Sequence, residues 1–234
     1  MTALFTMLSF PNDSGPIYQE TVAGRFPVEP FNTFSNFLFL AFTIYYARKV
    51  YPDYRNQLFL AYSLPVLFIG FIGGTVYHAT RSHEIWLILD WLPILLLCLA
   101  VSVYFIFLSS RFLWQRIVLA VIVLLLVFGV RYIPFGKFQI SVNYLGTASG
   151  LLLPLFVYLY KTHFKYWGSI VLAILSFGLA LSFRVMDKFM DELEMGTHWL
   201  WHTFGAISVF FLMKYIYKSK NLPEPASPEG KGES

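Results

Sequence analysis

The sequence has little charge, a single cysteine and no dense basic run. Asp, Glu, Lys and Arg make up 13% of its 234 residues, about half of the share usual in a globular chain, which excludes an ordinary soluble protein. The lone cysteine, Cys98, excludes an internal disulfide and a multi-cysteine zinc site. The formal net charge is only +4, so we expect no nucleic-acid partner.

Apolar residues dominate the rest of the sequence. They make up 57% of the chain, and the mean hydropathy is +0.62. A membrane-spanning helix takes about 20 residues, so seven would take about 140, which is close to the number of apolar residues present. In lipid an open chain can satisfy its backbone polar groups only as helices. The composition therefore predicts an all-α, multi-pass membrane protein with short loops, and the lipid bilayer as its surroundings.

Seven apolar runs, each about 18–24 residues long, are predicted to span the membrane as helices. They are Phe31–Val50, Gln57–Ala79, Ile85–Leu108, Phe112–Val130, Ile140–Tyr160, Tyr166–Phe183 and Thr197–Tyr217. One set of loops holds about twice as many Lys and Arg as the other, and the richer side should be cytoplasmic. The N-terminus is then outside and the C-terminus cytoplasmic. A bacterial inner membrane and a eukaryotic endomembrane both fit.

This topology divides the chain into three parts. Residues 1–30 form an extracytoplasmic N-terminal segment, and residues 31–220 form the seven-helix transmembrane domain. Residues 221–234 are rich in Pro, Glu, Gly, Ser and Lys. Because such a segment cannot bury enough apolar surface to fold, we expect a disordered cytoplasmic tail.

Three histidines and one aspartate lie within the predicted spans, where ionisable groups are costly and usually functional. His78 ends the second span, Asp90 lies early in the third, and His198 and His202 begin the seventh. The topology places all four near one membrane face. His198 and His202 are four residues apart, so both imidazoles lie on one side of a helix. With His78 they would form the three-histidine set of a catalytic zinc, which leaves a position for water. Asp90 could accept the proton of that water or orient a histidine.

The residues alone leave other interpretations open. Histidines four apart in a helix often reflect packing, and the four groups could form a hydrogen-bonded polar cluster between helices. A proton-linked transporter could use the same groups, although no inverted repeat is visible in the sequence.

Five short blocks carry a family resemblance. They are Glu-Pro-Phe-Asn-Thr-Phe-Ser-Asn at 29–36, Gly-Gly-Thr-Val-Tyr-His at 73–78, Leu-Asp-Trp-Leu-Pro at 89–93, Phe-Arg-Val-Met-Asp at 183–187 and His-Trp-Leu-Trp-His at 198–202. In this order they resemble the CREST superfamily of seven-helix membrane hydrolases, in particular the alkaline ceramidases. The resemblance implies a seven-helix barrel around a lipid-accessible cavity, with His78, His198 and His202 as zinc ligands and Asp90 as the catalytic aspartate.

Two departures from the family pattern lie near these residues. The family usually carries a serine four residues before the first zinc histidine, where it helps to bind the water or the oxyanion, and this chain has Gly74. Thr75 is the candidate to take its role, although one residue turns a side chain by about 100° around a helix. The interval from His78 to Asp90 is also one residue longer than in animal ceramidases, and we place the insertion in the loop around Ser82–His83.

A third departure concerns calcium, which animal alkaline ceramidases bind through acidic residues before the first span. The candidate ligands here are Glu20 and Glu29, together with Asp13, at a shorter spacing. Calcium prefers six to eight oxygen ligands, so carbonyl groups and water would have to complete the shell. The alternatives are a helix N-terminal carboxylate for Glu29 and solvated loop charge for the other two.

The sixth predicted span ends with Arg184 and Asp187. The resemblance suggests a structural or entrance role for Asp187, and the ordinary alternative is an ion pair at the membrane interface. The acidic loop 187–194 would close the mouth of the cavity, contact lipid headgroups, or be solvated.

Together the residues and the resemblance predict a zinc-dependent integral-membrane hydrolase of the ceramidase type. Its substrate would be a membrane lipid, above all a ceramide-like sphingolipid with an amide to cleave, although the sequence leaves amide and ester open. The alternative is a receptor or scaffold of the adiponectin-receptor type with a structural zinc, for which Gly74 is the best support. The sequence leaves the substrate-binding residues and the oligomeric state open.

Overall fold

The computed structural model describes residues 10–189, 193–220 and 222. Residues 10–29 are irregular, and the described residues that follow are helical with short connections. The helices are α1 (Pro30–Ser35), α2 (Phe37–Val50), α3 (Leu58–Thr80), α4 (Glu84–Ser109), α5 (Leu113–Phe128), α6 (Gln139–Lys161), α7 (Trp167–Met186) and α8 (His198–Ser219). Short 3-10 turns occupy Tyr51–Asn56, Gly129–Tyr132 and Gly136–Phe138. No strand occurs in the described ranges, so the all-α prediction is confirmed there.

Among the described residues, five helical segments are long and apolar enough to cross a membrane. They are Leu58–Thr80, Glu84–Ser109, Leu113–Tyr132, Gly136–Lys161 and Trp167–Met186. They correspond to the second to sixth predicted spans, as expected for a multi-pass membrane protein.

The first and last predicted spans look different. The first run is divided at Asn36 into α1 and α2, and α2 alone has 14 residues, which is too short to cross about 30 Å of hydrocarbon. Helix α8 is long enough at 22 residues, but its histidines and its lysines, Lys214 and Lys218, lower its hydropathy. The seven-span topology and the positions of the termini therefore stay predictions.

The first of two compact units comprises Met1–Leu97 and Ser169–Lys214. In this unit α3 approaches α4 closely, because a Cβ at Gly73 would overlap the backbone of Leu89 and one at Gly70 would lie 3.4 Å from Pro93. Tyr46 of α2 donates a hydrogen bond of 2.9 Å to a carbonyl of α8. All of the sequence-predicted site residues belong to this unit.

The second unit comprises Cys98–Gly168 and Tyr215–Ser234. Gly150 of α6 packs on α5, where an added Cβ would lie 2.8 Å from a methyl group of Val127. Lys161 and Ser109 are joined by a hydrogen bond of 2.6 Å from Nζ to the carbonyl. The predicted tail, 221–234, lies outside the described residues except for Leu222, as do 190–192 of the acidic loop and 1–9 of the predicted N-terminal segment.

Candidate metal centre

Three histidines from distant parts of the chain meet in the first unit. His78 lies in the last turn of α3, His198 is the first residue of α8, and His202 lies one turn further along α8. All three are buried, and one ring nitrogen of each lies within 4.8 Å of the other two. The ring centroids are 4.7 Å apart for His78 and His202, and 4.8 Å apart for His198 and His202. The predicted convergence of the three imidazoles is confirmed.

The free ring nitrogens indicate what this cluster can hold. Nε2 of His78 and Nδ1 of His198 are buried and have no hydrogen-bond partner. Leaving a buried polar atom unpaired costs about 1–3 kcal/mol, and a cation between the rings would satisfy both. Imidazole ligands suit zinc and other transition metals. The three residues therefore fit a metal ion.

Glu29 holds His78 from the side opposite the cluster. It immediately precedes α1, and its carboxylate accepts a hydrogen bond from Nδ1 of His78. Its backbone N–H also donates to the carbonyl of His78 over 3.0 Å. Metal-bound histidines usually donate their other ring N–H to a carboxylate, a backbone carbonyl or water, which fixes the tautomer and the ring orientation. Burial alone would raise the pKa of Glu29, but His78, together with hydrogen bonding and Arg81, lowers it to about 2.

The residues of α1 hold His202 in a similar way. Nδ1 of His202 lies 3.1 Å from the carbonyl oxygen of Asn32, which can accept its proton. The hydroxyl of Ser35 and the side-chain amide of Asn36 lie 3.1 and 3.2 Å from the same nitrogen. The block at 29–36, which carries the family resemblance, therefore orients two of the three histidines, a role that sequence reasoning missed.

Asp90 lies beside the cluster because residue 74 is glycine. A Cβ at Gly74 would lie 2.5 Å from Oδ1 of Asp90 and 3.0 Å from Oδ1 of Asn36. Asn36 in turn contacts His202, and Asp90 is within electrostatic range of His78. The carboxylate therefore occupies the space that a larger side chain at position 74 would need.

The hydroxyl of Thr75 is buried and has no hydrogen-bond partner. Other threonines in the same unit behave differently: Thr43, Thr80 and Thr203 each donate to the carbonyl four residues earlier. Thr75 could therefore donate to a bound molecule without losing a bond inside the protein. Its catalytic role stays a prediction.

Asp187 caps the helix that carries the histidine pair. Its Oδ1 accepts hydrogen bonds from the backbone N–H groups of Thr197, over 2.6 Å, and of His198, over 3.0 Å. Burial raises the pKa of Asp187, and these two hydrogen bonds oppose the shift. The arrangement gives Asp187 the structural role that was one of its two interpretations. The buried guanidinium of Arg184 lies over the ring of Trp201, 5.1 Å from its centroid.

The N-terminal segment covers one side of the histidines. The ring of Tyr18 stacks on His198 with the centroids 3.8 Å apart, and Gln19 donates to the carbonyl of Asp187 over 3.4 Å. The backbone N–H of Val28 donates to the carbonyl of Ala79. Sequence reasoning missed Tyr18 because nothing in an irregular N-terminal stretch marks one aromatic ring as a neighbour of the site.

The candidate calcium ligands have other partners. The two carboxylate oxygens of Glu20 accept hydrogen bonds from the backbone N–H groups of Phe31 and Asn32, over 2.9 and 2.6 Å. Burial raises the pKa of Glu20, and these hydrogen bonds oppose the shift. Asp13 and Glu29 both bind the guanidinium of Arg81. Within the part of the chain that is described, the three histidines are the group of His, Cys, Asp and Glu residues close enough together to hold a metal ion.

Comparison with known proteins assigns no family to the chain. No protein-family model matches it, and no curated protein matches it in sequence.

Proposed function

We propose that this protein is a zinc-dependent integral-membrane hydrolase that cleaves the acyl linkage of a membrane lipid. The observation that carries the proposal is the set of three buried histidines, two of them with an unpaired nitrogen, beside the carboxylate of Asp90. The resemblance to alkaline ceramidases favours the amide of a ceramide-like sphingolipid as the bond that is cleaved. The proposal includes seven spans, with α1–α2 and α8 added to the five apolar segments, and a barrel-like bundle.

Each side chain of the centre has a role in this proposal. Bound zinc would supply a Lewis acid and a water that ionises near neutral pH. Glu29 and the carbonyl of Asn32 keep His78 and His202 in single orientations. Asp90 is the general base. Its carboxylate lies next to the cluster, and no hydrogen bond in the described residues ties it to the end of a helix. The unpaired hydroxyl of Thr75 is the candidate donor to the carbonyl oxygen of the substrate.

Metal analysis of the purified protein tests the centre. We expect one zinc per chain in the wild type and its loss in His78→Ala and in His202→Ala. His163→Asn is the matched control, because His163 is exposed and has a positive φ of 51°, which asparagine tolerates. Equal zinc in the wild type and in His202→Ala would contradict the proposal.

Release of fatty acid from lipid vesicles tests the reaction. Wild type should release fatty acid from ceramide, and an ester-linked lipid in parallel vesicles identifies the bond type. Asp90→Asn should keep its zinc and lose about 10²–10⁴-fold in rate, the usual contribution of a general base. A wild type that holds zinc but releases fatty acid from neither lipid would instead support the receptor or scaffold alternative.

A further inference from the structure

A fully buried arginine lies where the acidic residues of the N-terminal segment converge. Arg81 follows α3 in a left-handed conformation, with φ of 47°, and its side chain has no exposed surface. Nε and Nη2 of Arg81 bind the two carboxylate oxygens of Asp13 over 2.9 and 2.6 Å. Such a two-pronged pair is the strong form of an arginine–carboxylate contact.

The remaining donors of Arg81 are also engaged. Nη1 binds Oε1 of Glu29 over 2.7 Å and the carbonyl of Pro16 over 3.1 Å, and Nη2 binds the carbonyl of Gly15 over 3.3 Å. A guanidinium has five N–H donors, so every one has an acceptor. The guanidinium also lies 4.8 Å from the centre of the Tyr77 ring.

These contacts do not fit the calcium ion that the family resemblance implies. Both oxygens of Asp13 bind Arg81, both oxygens of Glu20 bind backbone N–H groups, and those of Glu29 bind Arg81 and His78. Calcium requires six to eight oxygens at about 2.3–2.6 Å. The positive charge between Asp13 and Glu29 is already provided by the protein.

We propose that Arg81 is the internal cation of the N-terminal segment: it fastens residues 10–29 to the end of α3, positions His78 through Glu29, and makes calcium unnecessary. Backbone hydrogen bonds support the attachment at both ends of the segment, from the N–H of Asn12 to the carbonyl of Arg81 over 3.1 Å and from the N–H of Val28 to that of Ala79 over 2.9 Å. The positioning of His78 rests on the proposed metal centre, whereas the attachment does not.

Calcium titration of the full-length protein in detergent tests the cation. Buffer is freed of divalent ions by a resin, and calcium or magnesium is added to the zinc-loaded protein. Calorimetry should show no saturable calcium binding, and the unfolding temperature, followed by tryptophan fluorescence, should be the same with calcium as with magnesium. Saturable calcium binding with a rise in the unfolding temperature would overturn the proposal.

Cobalt binding tests the positioning of His78. The visible spectrum of cobalt reports the ligand geometry, and the loss of a residue that orients a metal ligand typically weakens metal binding about 10–100-fold. We expect this loss in Arg81→Met and a smaller loss in Arg81→Lys, which keeps the charge but not the planar fork. Arg25→Met is the control, because Arg25 is an exposed arginine of the same segment that binds backbone carbonyls of Glu20 and Val28.

If Arg81→Met cannot be purified in a folded form, the cobalt measurement on Arg81→Lys is used instead. Unchanged cobalt affinity and spectrum in either folded variant would overturn the positioning role. Hydrogen exchange then tests the attachment separately: exchange in 10–29 should be faster in Arg81→Lys and in Asp13→Asn than in the wild type, and equal rates would overturn it. A wild type that binds neither zinc nor cobalt would refute the proposed function and leave the calcium and exchange results to decide on Arg81.

Discussion

Gly74 lies beside the candidate metal centre, and there this chain differs from the alkaline ceramidases that its sequence resembles. The structure gives a physical reason for the glycine, since the carboxylate of Asp90 and the amide of Asn36 fill the space beside it. A serine hydroxyl at this position would compete with Asp90 for the same place. The glycine is therefore coupled to the position of Asp90, and it does not by itself argue against catalysis.

Gly74→Ser should consequently lower the activity rather than restore a family feature. The added side chain must displace Asp90 or Asn36, and overpacking of this kind typically costs about 1–3 kcal/mol of stability. Fatty-acid release and the unfolding temperature, measured on the same preparation, check both effects. Gly178→Ser is the control, because a Cβ at Gly178 of α7 meets nothing within 4 Å. Faster release by Gly74→Ser at an unchanged unfolding temperature would show that the position accepts the serine.

Thr75 allows a role in catalysis to be separated from a role in stability. Its hydroxyl has no partner in the protein, so Thr75→Val removes no internal hydrogen bond and should leave the unfolding temperature unchanged or slightly higher. If the hydroxyl binds the substrate oxygen, fatty-acid release should fall about 10²–10³-fold, as when one oxyanion donor is removed. Thr43→Val is the comparison, since its hydroxyl donates to the carbonyl of Phe39 over 2.7 Å. Full activity of Thr75→Val would exclude Thr75 from the reaction.

At the scale of elements, the sequence predicts helices better than it predicts the ends of helices. Runs two to six appear as helices close to the predicted bounds, because a run of about 20 apolar residues has one stable form in lipid. The first run is interrupted at Asn36, and the sequence did not predict the break. A hydropathy profile cannot show that polar residues of α1 face His202. The break therefore could not be predicted within an otherwise apolar run.

The clustering of the three histidines was predictable from helix geometry. Two histidines four residues apart must share a helix face, and the order of the spans brought His78 to the same depth. The sequence marks Arg81 only as one of several basic residues in the predicted loops. Its left-handed backbone conformation, with φ of 47°, sets the direction of the chain at the end of α3. Counting charges along the sequence cannot predict this conformation. Side chains outside regular helices therefore limited what the sequence could predict about this site.

The start of α8 should govern metal affinity through its cap. Asp187 accepts hydrogen bonds from the backbone N–H groups of Thr197 and His198, and His198 is the first helical residue. Without this carboxylate the first turn of α8 should fray, and the proposed metal ligand His198 lies in that turn. Asp187→Ala should cost about 0.5–2 kcal/mol of stability, as for other N-terminal caps, and should weaken cobalt binding. Asp187→Asn, which keeps one acceptor oxygen, should fall between Asp187→Ala and the wild type in both measurements. An unfolding temperature of Asp187→Ala equal to the wild type would contradict the capping role.

At the scale of the whole molecule, the site belongs to one compact unit built from two separated stretches of sequence. Met1–Leu97 brings the N-terminal segment, His78 and Asp90, and Ser169–Lys214 brings the histidine pair and its cap. The proposed reaction therefore needs the segments at both ends of the chain to be correctly inserted. The proposed topology and the proposed chemistry are linked by this requirement.

Seven spans place the two ends of the chain on opposite sides of the membrane, whereas the five apolar segments together with only one further span would place them on the same side. Single cysteines distinguish the two cases in a Cys98→Ser background. Val22→Cys and Lys220→Cys are suitable sites, because both residues are exposed. In sealed cells a membrane-impermeant maleimide should label Val22→Cys alone, and it should label Lys220→Cys only after the membrane is opened. Labelling of both sites in sealed cells would contradict an odd number of spans, and labelling of Lys220→Cys alone would reverse the orientation expected from the loop charges.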